Sequence, residues 1–176
     1  MNILIIGAGG HGREMAQLAS RMKSMHVKGF IDDNSALVGQ HINGLKVLGD
    51  SDWVAKNHKK FAFVCALGDP ATRRKAVNRF DKIGVKWATL IDPDCNVPDD
   101  AVVGEGSMLC AGTMMTTNIR LGRHTIVNMG CTLSHDLKAG DFATLACGIH
   151  LSGNVTIGEG AEIGVGSNVI QGITIG

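Results

Sequence analysis

An aliphatic or small apolar residue recurs at every sixth position from residue 97 to residue 175 without interruption. The series reads Val97, Val103, Leu109, Met115, Leu121, Val127, Leu133, Ala139, Leu145, Leu151, Ile157, Ile163, Val169 and Ile175. A period of six fits neither the turn of an α-helix, about 3.6 residues, nor the two-residue alternation of an ordinary strand. It is the period of a hexapeptide β-helix, so the pattern predicts a parallel β-helix with three hexapeptides in each triangular coil.

A second register, two positions before the first, is mostly small or β-branched. It comprises Cys95, Ala101, Ser107, Thr113, Thr125, Cys131, Ala143, Val155, Ala161 and Ser167. We expect both registers to point inward and to stack on the coil below. Residues 91–176 would then form a β-helix domain of just under five coils.

Residues 1–90 show a different pattern, in which short apolar strands alternate with helical stretches. Strands are predicted at Asn2–Ile6, His26–Ile31, 61–67 and 87–91, and helices at about 13–22 and from 70 to about 80. The stretch 41–49 is predicted as a connecting loop with a short strand. This alternation indicates a Rossmann-like α/β half domain, about half the size of a complete dinucleotide-binding fold.

A glycine loop follows the first strand and has the spacing of a phosphate-binding turn. Gly7, Gly9 and Gly12 match G-x-G-x-x-G, in which backbone N–H groups and a helix N-terminus approach a phosphate. Asp32 and Asp33 come twenty residues after Gly12, where an acidic side chain can meet a ribose hydroxyl or a base edge. A tight turn without a ligand is the alternative interpretation. The half-sized unit favours one mononucleotide over NAD.

Charge and cysteine usage exclude several classes of protein. The net charge is +1 from 17 basic and 16 acidic residues, with no basic run, so neither nucleic acid nor a membrane surface is expected as a partner. The N-terminus lacks the basic segment of a signal peptide, and we expect a cytoplasmic protein. The five cysteines have no C-x-x-C spacing and no histidine pair has a ligand spacing, so we expect buried thiols and no metal.

The strongest candidate for catalysis is the run Ser134-His135-Asp136 in the repeat. Leu133 is an inward residue, so His135 and Asp136 fall at a corner where side chains leave the prism. An outward histidine beside a carboxylate is a candidate general base. A solvated surface histidine is the alternative, and the same register predicts that His124 and His150 also point outward.

The glycine loop GAGGHG, the IDD that ends the second strand and the SHD of the repeat together resemble one family. It is the family of sugar acyltransferases that includes UDP-4-amino-sugar N-acetyltransferases and sialic acid O-acetyltransferases. The resemblance covers nearly the whole chain. It implies a left-handed β-helix, assembly as a homotrimer and acetyl-CoA bound in the cleft between adjacent prisms.

The resemblance also implies residue roles. His135 would accept the proton, Asp136 would raise the basicity of His135, and the Gly153 N–H would face the thioester carbonyl. Contacts to acetyl-CoA would come from Asn128, Thr144, Gly153 and Val165, with Thr144 standing where the family often has a histidine. Contacts to the nucleotide-sugar would come from Gly9, Gly10, His11, Asp32, Asp33 and Gly68. The sequence stops in mid-repeat where the family continues through further coil and a cap, so we expect an incomplete C-terminal end.

These features predict direct acetyl transfer from acetyl-CoA to the amine of a nucleotide-linked amino sugar, with UDP as the expected nucleotide. Two other functions stay open at this point: O-acetylation of sialic acid or a related sugar, and a non-catalytic trimeric scaffold that binds a nucleotide. A nicotinamide-dependent oxidoreductase would explain the glycine loop but not the repeat.

Overall fold

The computed structural model describes residues 1–176, which divide into an N-terminal unit, Met1–Leu90, and a C-terminal unit, Ile91–Gly176. The sheet of the N-terminal unit contains β1 (Asn2–Ile6), β2 (His26–Ile31), β3 (His41–Ile42), β4 (Leu45–Gly49), β5 (Ala62–Cys65) and β6 (Lys86–Trp87). Its strand order is β3-β4-β2-β1-β5-β6. All neighbours are parallel except β3 and β4, which form a hairpin. The predicted Rossmann-like α/β architecture is confirmed.

Three α-helices connect these strands: α1 (Gly10–Arg21), α2 (Ser51–Asn57) and α3 (Pro70–Asp81), with a 3₁₀ turn at His58–Lys60. Asp50 caps α2 by accepting hydrogen bonds from the backbone N–H groups of Asp52 and Trp53. Asp69 caps α3 by accepting from the Thr72 N–H. Both caps satisfy N–H groups that a helix cannot bond internally.

The N-terminal unit departs from the sequence prediction in three places. Helix α1 begins at Gly10 rather than at residue 13, because Gly9 already serves as its N-cap. The stretch 41–49 is a hairpin whose second strand pairs in parallel with β2, and helix α2 after it was not predicted. The single strand predicted at 87–91 is wrong, because β6 ends at Trp87 and Leu90–Ile91 pairs with the β-helix instead.

The C-terminal unit is built from two-residue strands joined by corners. They are β7 (Leu90–Ile91), β8 (Val102–Val103), β9 (Met108–Leu109), β10 (Met114–Met115), β11 (Arg120–Leu121), β12 (Ile126–Val127), β13 (Thr132–Leu133), β14 (Lys138–Ala139), β15 (Thr144–Leu145), β16 (His150–Leu151), β17 (Thr156–Ile157), β18 (Glu162–Ile163), β19 (Asn168–Val169) and β20 (Thr174–Ile175). They form three parallel sheets, β10-β13-β16-β19, β20-β17-β14-β11-β8 and β18-β15-β12-β9-β7. Strand partners are 18 residues apart, as in Leu133 and Leu151, so the predicted three-hexapeptide coil is confirmed.

The predicted inward registers form the core of the β-helix. Leu133, Leu145 and Leu151 are buried in one continuous apolar cluster. The second register is less uniform than predicted, because the buried residues Ile119 and Leu137 share it with the small ones. Ile119 and Leu137 precede β11 and β14, whereas the smaller residues Ser107, Thr125 and Ala143 precede β9, β12 and β15. The second register therefore carries larger side chains before one sheet than before another.

One predicted outward residue is buried. His124 has no exposed surface, and its ring stacks on Phe142 with centroids 5.5 Å apart. His124 has φ of 53°, in the left-handed region, as Asp136 does at the equivalent position. A Cβ on Gly106 would lie 2.3 Å from the His124 ring, so the coil below leaves space for it. His124 is therefore buried by its neighbours in the corner stack, whereas His150, the other histidine predicted to point outward, is exposed.

None of the helices, of which the longest have 12 residues, has the length and apolar character needed to cross a bilayer.

Candidate active site

His135 and Asp136 form a hydrogen-bonded pair at the corner that follows β13. The His135 Nδ1 and Asp136 Oδ2 atoms are 2.8 Å apart, and the side chains are 49% and 51% exposed. Asp136 has φ of 61°, a left-handed conformation that Asp tolerates better than most residues. Its backbone N–H donates to the Thr117 carbonyl in the coil below, which holds this turn in place.

The geometry of this pair determines which ring nitrogen can accept a proton. Hydrogen bonds from His135 and then from Asn118 lower the pKa of Asp136 below its usual range. The carboxylate is therefore ionised at neutral pH and can only accept, so His135 Nδ1 carries the hydrogen. His135 Nε2 is left with a free lone pair, which is the requirement for a general base.

Gly153 lies one coil above, directly against the His135 ring. A Cβ on Gly153 would stand 2.2 Å from His135 Nε2, far closer than real side chains approach. The Gly153 carbonyl accepts from Gly172, but the Gly153 N–H has no acceptor within the chain. A free backbone donor therefore lies close to the nitrogen that would accept a proton.

A shallow cavity of about 210 Å³ lies on the sheet face next to this corner. Its lining includes the uncharged side chains of Thr132, Ser134, Ser152 and Asn168, together with His150. Thr132 Oγ1 and His150 Nδ1 are 2.8 Å apart. This polar face was not predicted, although the polar residues at the outward positions beside the aliphatic register indicate it.

The other residues predicted to contact acetyl-CoA do not lie at the corner of His135. Asn128 follows β12 and Val165 follows β18, which belong to a different sheet and so to a different corner of the prism. The Asn128 side chain donates to the Leu145 carbonyl at 3.2 Å, and Val165 is 78% exposed. Thr144 is only 5% exposed and offers almost no surface to a ligand. One chain therefore does not bring these residues together with His135.

A second cavity, of about 370 Å³, opens at the carboxyl ends of β1 and β2 in the N-terminal unit. Gly7, Asp32 and Asp33 line it, as the glycine-loop prediction requires. Its floor is apolar, from residues such as Ile6, Ile31 and Phe80. Four further polar residues, not predicted from the sequence, also line it: Ser51, Thr72, Lys75 and Arg79. Lys75 and Arg79 are one helical turn apart on α3, a spacing that helix periodicity could have revealed.

Asp32 and Asp33 already hold the loops around this cavity. Asp32 accepts from the backbone N–H of Ala8 at 2.8 Å and of Asn34 at 2.9 Å. Asp33 accepts from the N–H and the hydroxyl of Ser51, at 2.8 and 2.9 Å. The Arg79 guanidinium lies 3.9 Å from Asp33. Each carboxylate therefore shapes the cavity in addition to lining it.

The remaining residues predicted to contact the nucleotide-sugar, Gly9, Gly10, His11 and Gly68, do not line the cavity. Gly9 caps α1 and Gly10 begins it. Burial lowers the pKa of His11, and its Nε2 is buried with no hydrogen-bond partner in the protein. Gly68 lies on the loop after β5, where its carbonyl accepts from the fully buried Arg73. His11 is thus a neutral imidazole with an unused nitrogen close to the glycine loop.

No group of three or more His, Cys, Asp or Glu side chains in the chain could hold a metal ion.

Known proteins match both units of the chain. Residues 2–80 match the family described as the PglD N-terminal domain. The chain is 29% identical over 130 residues to GDP-perosamine N-acetyltransferase of Escherichia coli O157:H7, in a match that covers 71% of this chain. That match spans 58% of the length of this curated relative.

Two solved structures have the same fold. The acetyltransferase domain of PglB from Neisseria gonorrhoeae FA1090, in complex with acetyl coenzyme A, is 32% identical with a TM-score of 0.91, covering 98% of this chain and 83% of that one. A histidine-to-asparagine mutant of perosamine N-acetyltransferase from Caulobacter crescentus, in complex with CoA and GDP-perosamine, is 26% identical with a TM-score of 0.92, covering 99% and 82%. The coils are those of a left-handed parallel β-helix, and this chain belongs to the hexapeptide-repeat sugar acetyltransferases that carry an N-terminal PglD-type domain.

Proposed function

We propose that this protein transfers the acetyl group of acetyl-CoA to the amine of a nucleotide-linked amino sugar, with His135 as the general base. The observation that carries this proposal is the His135–Asp136 pair, which leaves Nε2 free beside the unused Gly153 N–H. Two relatives support the reaction, since they are named for N-acetyl transfer to perosamine and one was solved with CoA and GDP-perosamine.

The reaction proceeds by direct attack, without an acyl-enzyme. The neutral amine of the sugar adds to the thioester carbonyl carbon, and a proton leaves the nitrogen for His135 Nε2. Collapse of the tetrahedral intermediate breaks the C–S bond, and the CoA thiolate departs with a proton returned from His135. Holding both substrates in one site supplies much of the rate enhancement, because a bimolecular reaction becomes effectively unimolecular.

The Gly153 N–H is the proposed donor to the oxyanion that forms on the thioester oxygen. Its support is the absence of any acceptor for this N–H within the chain. The position also requires glycine, because a side chain there would displace the His135 ring. One residue therefore provides both space for the base and a donor for the developing charge.

The nucleotide part of the substrate is proposed to bind in the cavity of the N-terminal unit. The apolar floor suits a nucleobase, and the Lys75 and Arg79 cations at the rim suit an anionic ligand. The backbone N–H groups at the start of α1 offer further donors to phosphate oxygens. The sequence favoured UDP, whereas two relatives are named for GDP-perosamine, so both nucleotides belong in the test.

The active form is proposed to be a homotrimer. Asn128 and Val165 lie at a different corner from His135, so a single acetyl-CoA site that uses them all needs two copies of the chain. Exposed apolar side chains on the C-terminal unit, including Met114, Val165 and Ile170, are consistent with such contacts. Sedimentation equilibrium should give three times the chain mass, and a fully active monomer would refute the shared cleft.

A cytoplasmic location is part of this proposal. Its support is the set of five free cysteines, since proteins of oxidising compartments usually pair theirs.

Turnover measurements test the reaction directly. Purified protein is incubated with acetyl-CoA and, in separate reactions, a GDP-linked amino sugar, a UDP-linked amino sugar and free sialic acid. Thiol release and mass spectrometry of the sugar should show N-acetylation of a nucleotide-linked substrate that disappears in His135→Ala. Acetylation of sialic acid alone would favour the O-acetyltransferase, and nucleotide binding without any turnover would favour the scaffold.

A further inference from the structure

The corner that carries Asp136 belongs to a column of residues in the left-handed conformation. Asn118, Asp136 and Asn154 stand 18 residues apart with φ of 55°, 61° and 55°, and Gly172 continues the column. Asn and Asp enter this region more easily than other residues with side chains. The left-handed backbone at position 118 therefore favours Asn or Gly there. It does not explain the contacts that the Asn118 side-chain amide makes.

The Asn118 side chain contacts the His135–Asp136 pair in the next coil. Its Nδ2 donates to Asp136 Oδ1 at 3.2 Å, while Asp136 Oδ2 accepts from His135 at 2.8 Å. Each carboxylate oxygen thus has its own donor, one from the coil below and one from the imidazole. Two donors on different oxygens fix the plane of the carboxylate, whereas a single donor would leave it free to rotate.

Hydrogen bonds to Asp100, in the preceding coil, fix the position of the Asn118 backbone. Its backbone N–H donates to Asp100 Oδ2 at 3.0 Å, and the Thr117 hydroxyl donates to the same carboxylate. Hydrogen bonds from the Thr117 side chain and the Asn118 N–H hold the pKa of Asp100 below its usual range, so it stays an ionised acceptor. A chain of hydrogen bonds therefore runs from Asp100 through Asn118 and Asp136 to His135.

We infer that Asn118 is a positioning residue for the reaction, which orients the Asp136 carboxylate toward His135 and offsets part of its negative charge. This inference rests on the proposed function of His135 as the general base. Asn118 touches no reacting atom and acts only through Asp136. The charged groups near this chain of contacts are Asp100 and Asp136 themselves, Arg120 beside Asp100 and Lys138 beside Asp136.

Two substitutions separate positioning from a purely structural role. Asn118→Asp keeps the shape and tolerates the left-handed backbone, but it replaces the donor with a second negative charge against Asp136. A stronger negative field stabilises the imidazolium, so the titration midpoint of His135 should move to higher pH. Asn118→Gly keeps the backbone conformation and removes the amide, so kcat should fall roughly tenfold, the order expected for losing a hydrogen bond to a charged group. KM for acetyl-CoA should stay unchanged.

The experiment uses the full chain and two readouts. NMR titration follows the His135 imidazole, identified by its absence in His135→Ala, and steady-state assays give kcat and KM from pH 5 to 9. Asn43→Asp is the matched control, because Asn43 is also left-handed, with φ of 50°, but lies in the β3–β4 hairpin. The control should leave the His135 midpoint unchanged.

The results separate failure of the role inferred for Asn118 from failure of the proposed acetyl transfer. A His135 midpoint in Asn118→Asp equal to that of the wild type overturns the inference while leaving acetyl transfer intact. Should Asn118→Asp not fold, wild-type kcat and pH profile in Asn118→Gly would overturn it equally. If no amino sugar is acetylated by the wild type but the midpoint still moves, the proposed function fails and the contact between Asn118 and the pair stands.

Discussion

The imidazole of His135 packs against the bare Cα of Gly153. A Cβ at residue 153 would lie 2.2 Å from Nε2 and 2.3 Å from Cε1 of that ring. The two residues are 18 apart and therefore occupy the same corner in successive coils. Glycine at 153 leaves space for the ring, and its backbone N–H has no acceptor within the chain.

Gly153→Ala should lower kcat by about 100-fold, because displacing a catalytic group by about 1 Å has that order of effect. Thermal unfolding should change little, since the ring can swing into solvent. Gly164→Ala is the control, because its Cβ would meet nothing within 4 Å and its φ is not positive. Wild-type kcat in Gly153→Ala would show that the ring position does not matter.

His135→Ala should lose about 100- to 10,000-fold in turnover and keep its affinity for coenzyme A. The reason is that the imidazole moves a proton and does not anchor the cofactor. Turnover is followed by thiol release and coenzyme A binding by calorimetry. Retention of wild-type turnover would identify His135 as an ordinary surface histidine.

Asp136→Asn should cost less than His135→Ala and should move the acidic limb of the pH–rate profile to lower pH. The neutral amide no longer stabilises the imidazolium, so the base loses its proton at lower pH. Asn accepts the left-handed backbone at this position, where φ is 61°, so the corner should persist. An acidic limb at its wild-type position would contradict the proposed role of the carboxylate.

Asp32→Ala and Lys75→Ala should both weaken nucleotide binding, for different reasons. Asp32 holds the glycine loop through the Ala8 N–H, so its loss loosens the loop. Lys75 lines the cavity without such a bond, so its loss removes only positive charge. Calorimetry with UDP and with GDP measures both effects, and Lys59→Ala, on the 3₁₀ turn outside the cavity, is the control. Unchanged affinities for both nucleotides would place the nucleotide elsewhere.

Leu145→Asp should prevent folding of the β-helix. Leu145 is completely buried in the stacked core, and an unpaired carboxylate there costs several kcal/mol, a large share of total stability. Thr156→Asp is the control, because Thr156 is the exposed outward residue of a similar two-residue strand. Circular dichroism should show an unfolded or aggregated Leu145→Asp protein and a folded control.

Asp69→Asn should make the melting temperature less dependent on pH in acid. Hydrogen bonds from the Thr72 side chain and then its N–H lower the pKa of Asp69 in the folded protein. The resulting stability is present above the unfolded pKa, about 3.9, and is lost as pH falls through the lower folded pKa. Asn also caps helices but does not titrate, so its melting curve between pH 5 and 2 should be flatter. Parallel curves for both proteins would show that this cap does not contribute.

The sequence by itself determined the β-helix and the catalytic corner. A strict period of six predicts that each inward side chain stacks on its counterpart 18 residues later, because stacked hexapeptide coils bury that column. His135 and Asp136 are neighbours in sequence, and Gly153 is one coil away, so their proximity follows from the same period. The glycine loop and the predicted bounds of β1 and β2 likewise follow from local chain geometry.

Only the tertiary structure determined which side chains at equivalent repeat positions are buried and which side chains line the cavity of the N-terminal unit. His124 occupies the same repeat position as the exposed Asp136, yet Gly106 below it and Phe142 above it form a stack that buries it. Ser51, Lys75 and Arg79 reach the cavity only because α2 and α3 pack beside the carboxyl ends of the strands. Burial and cavity lining depend on neighbours distant in sequence, and a local period carries no information about what those neighbours are.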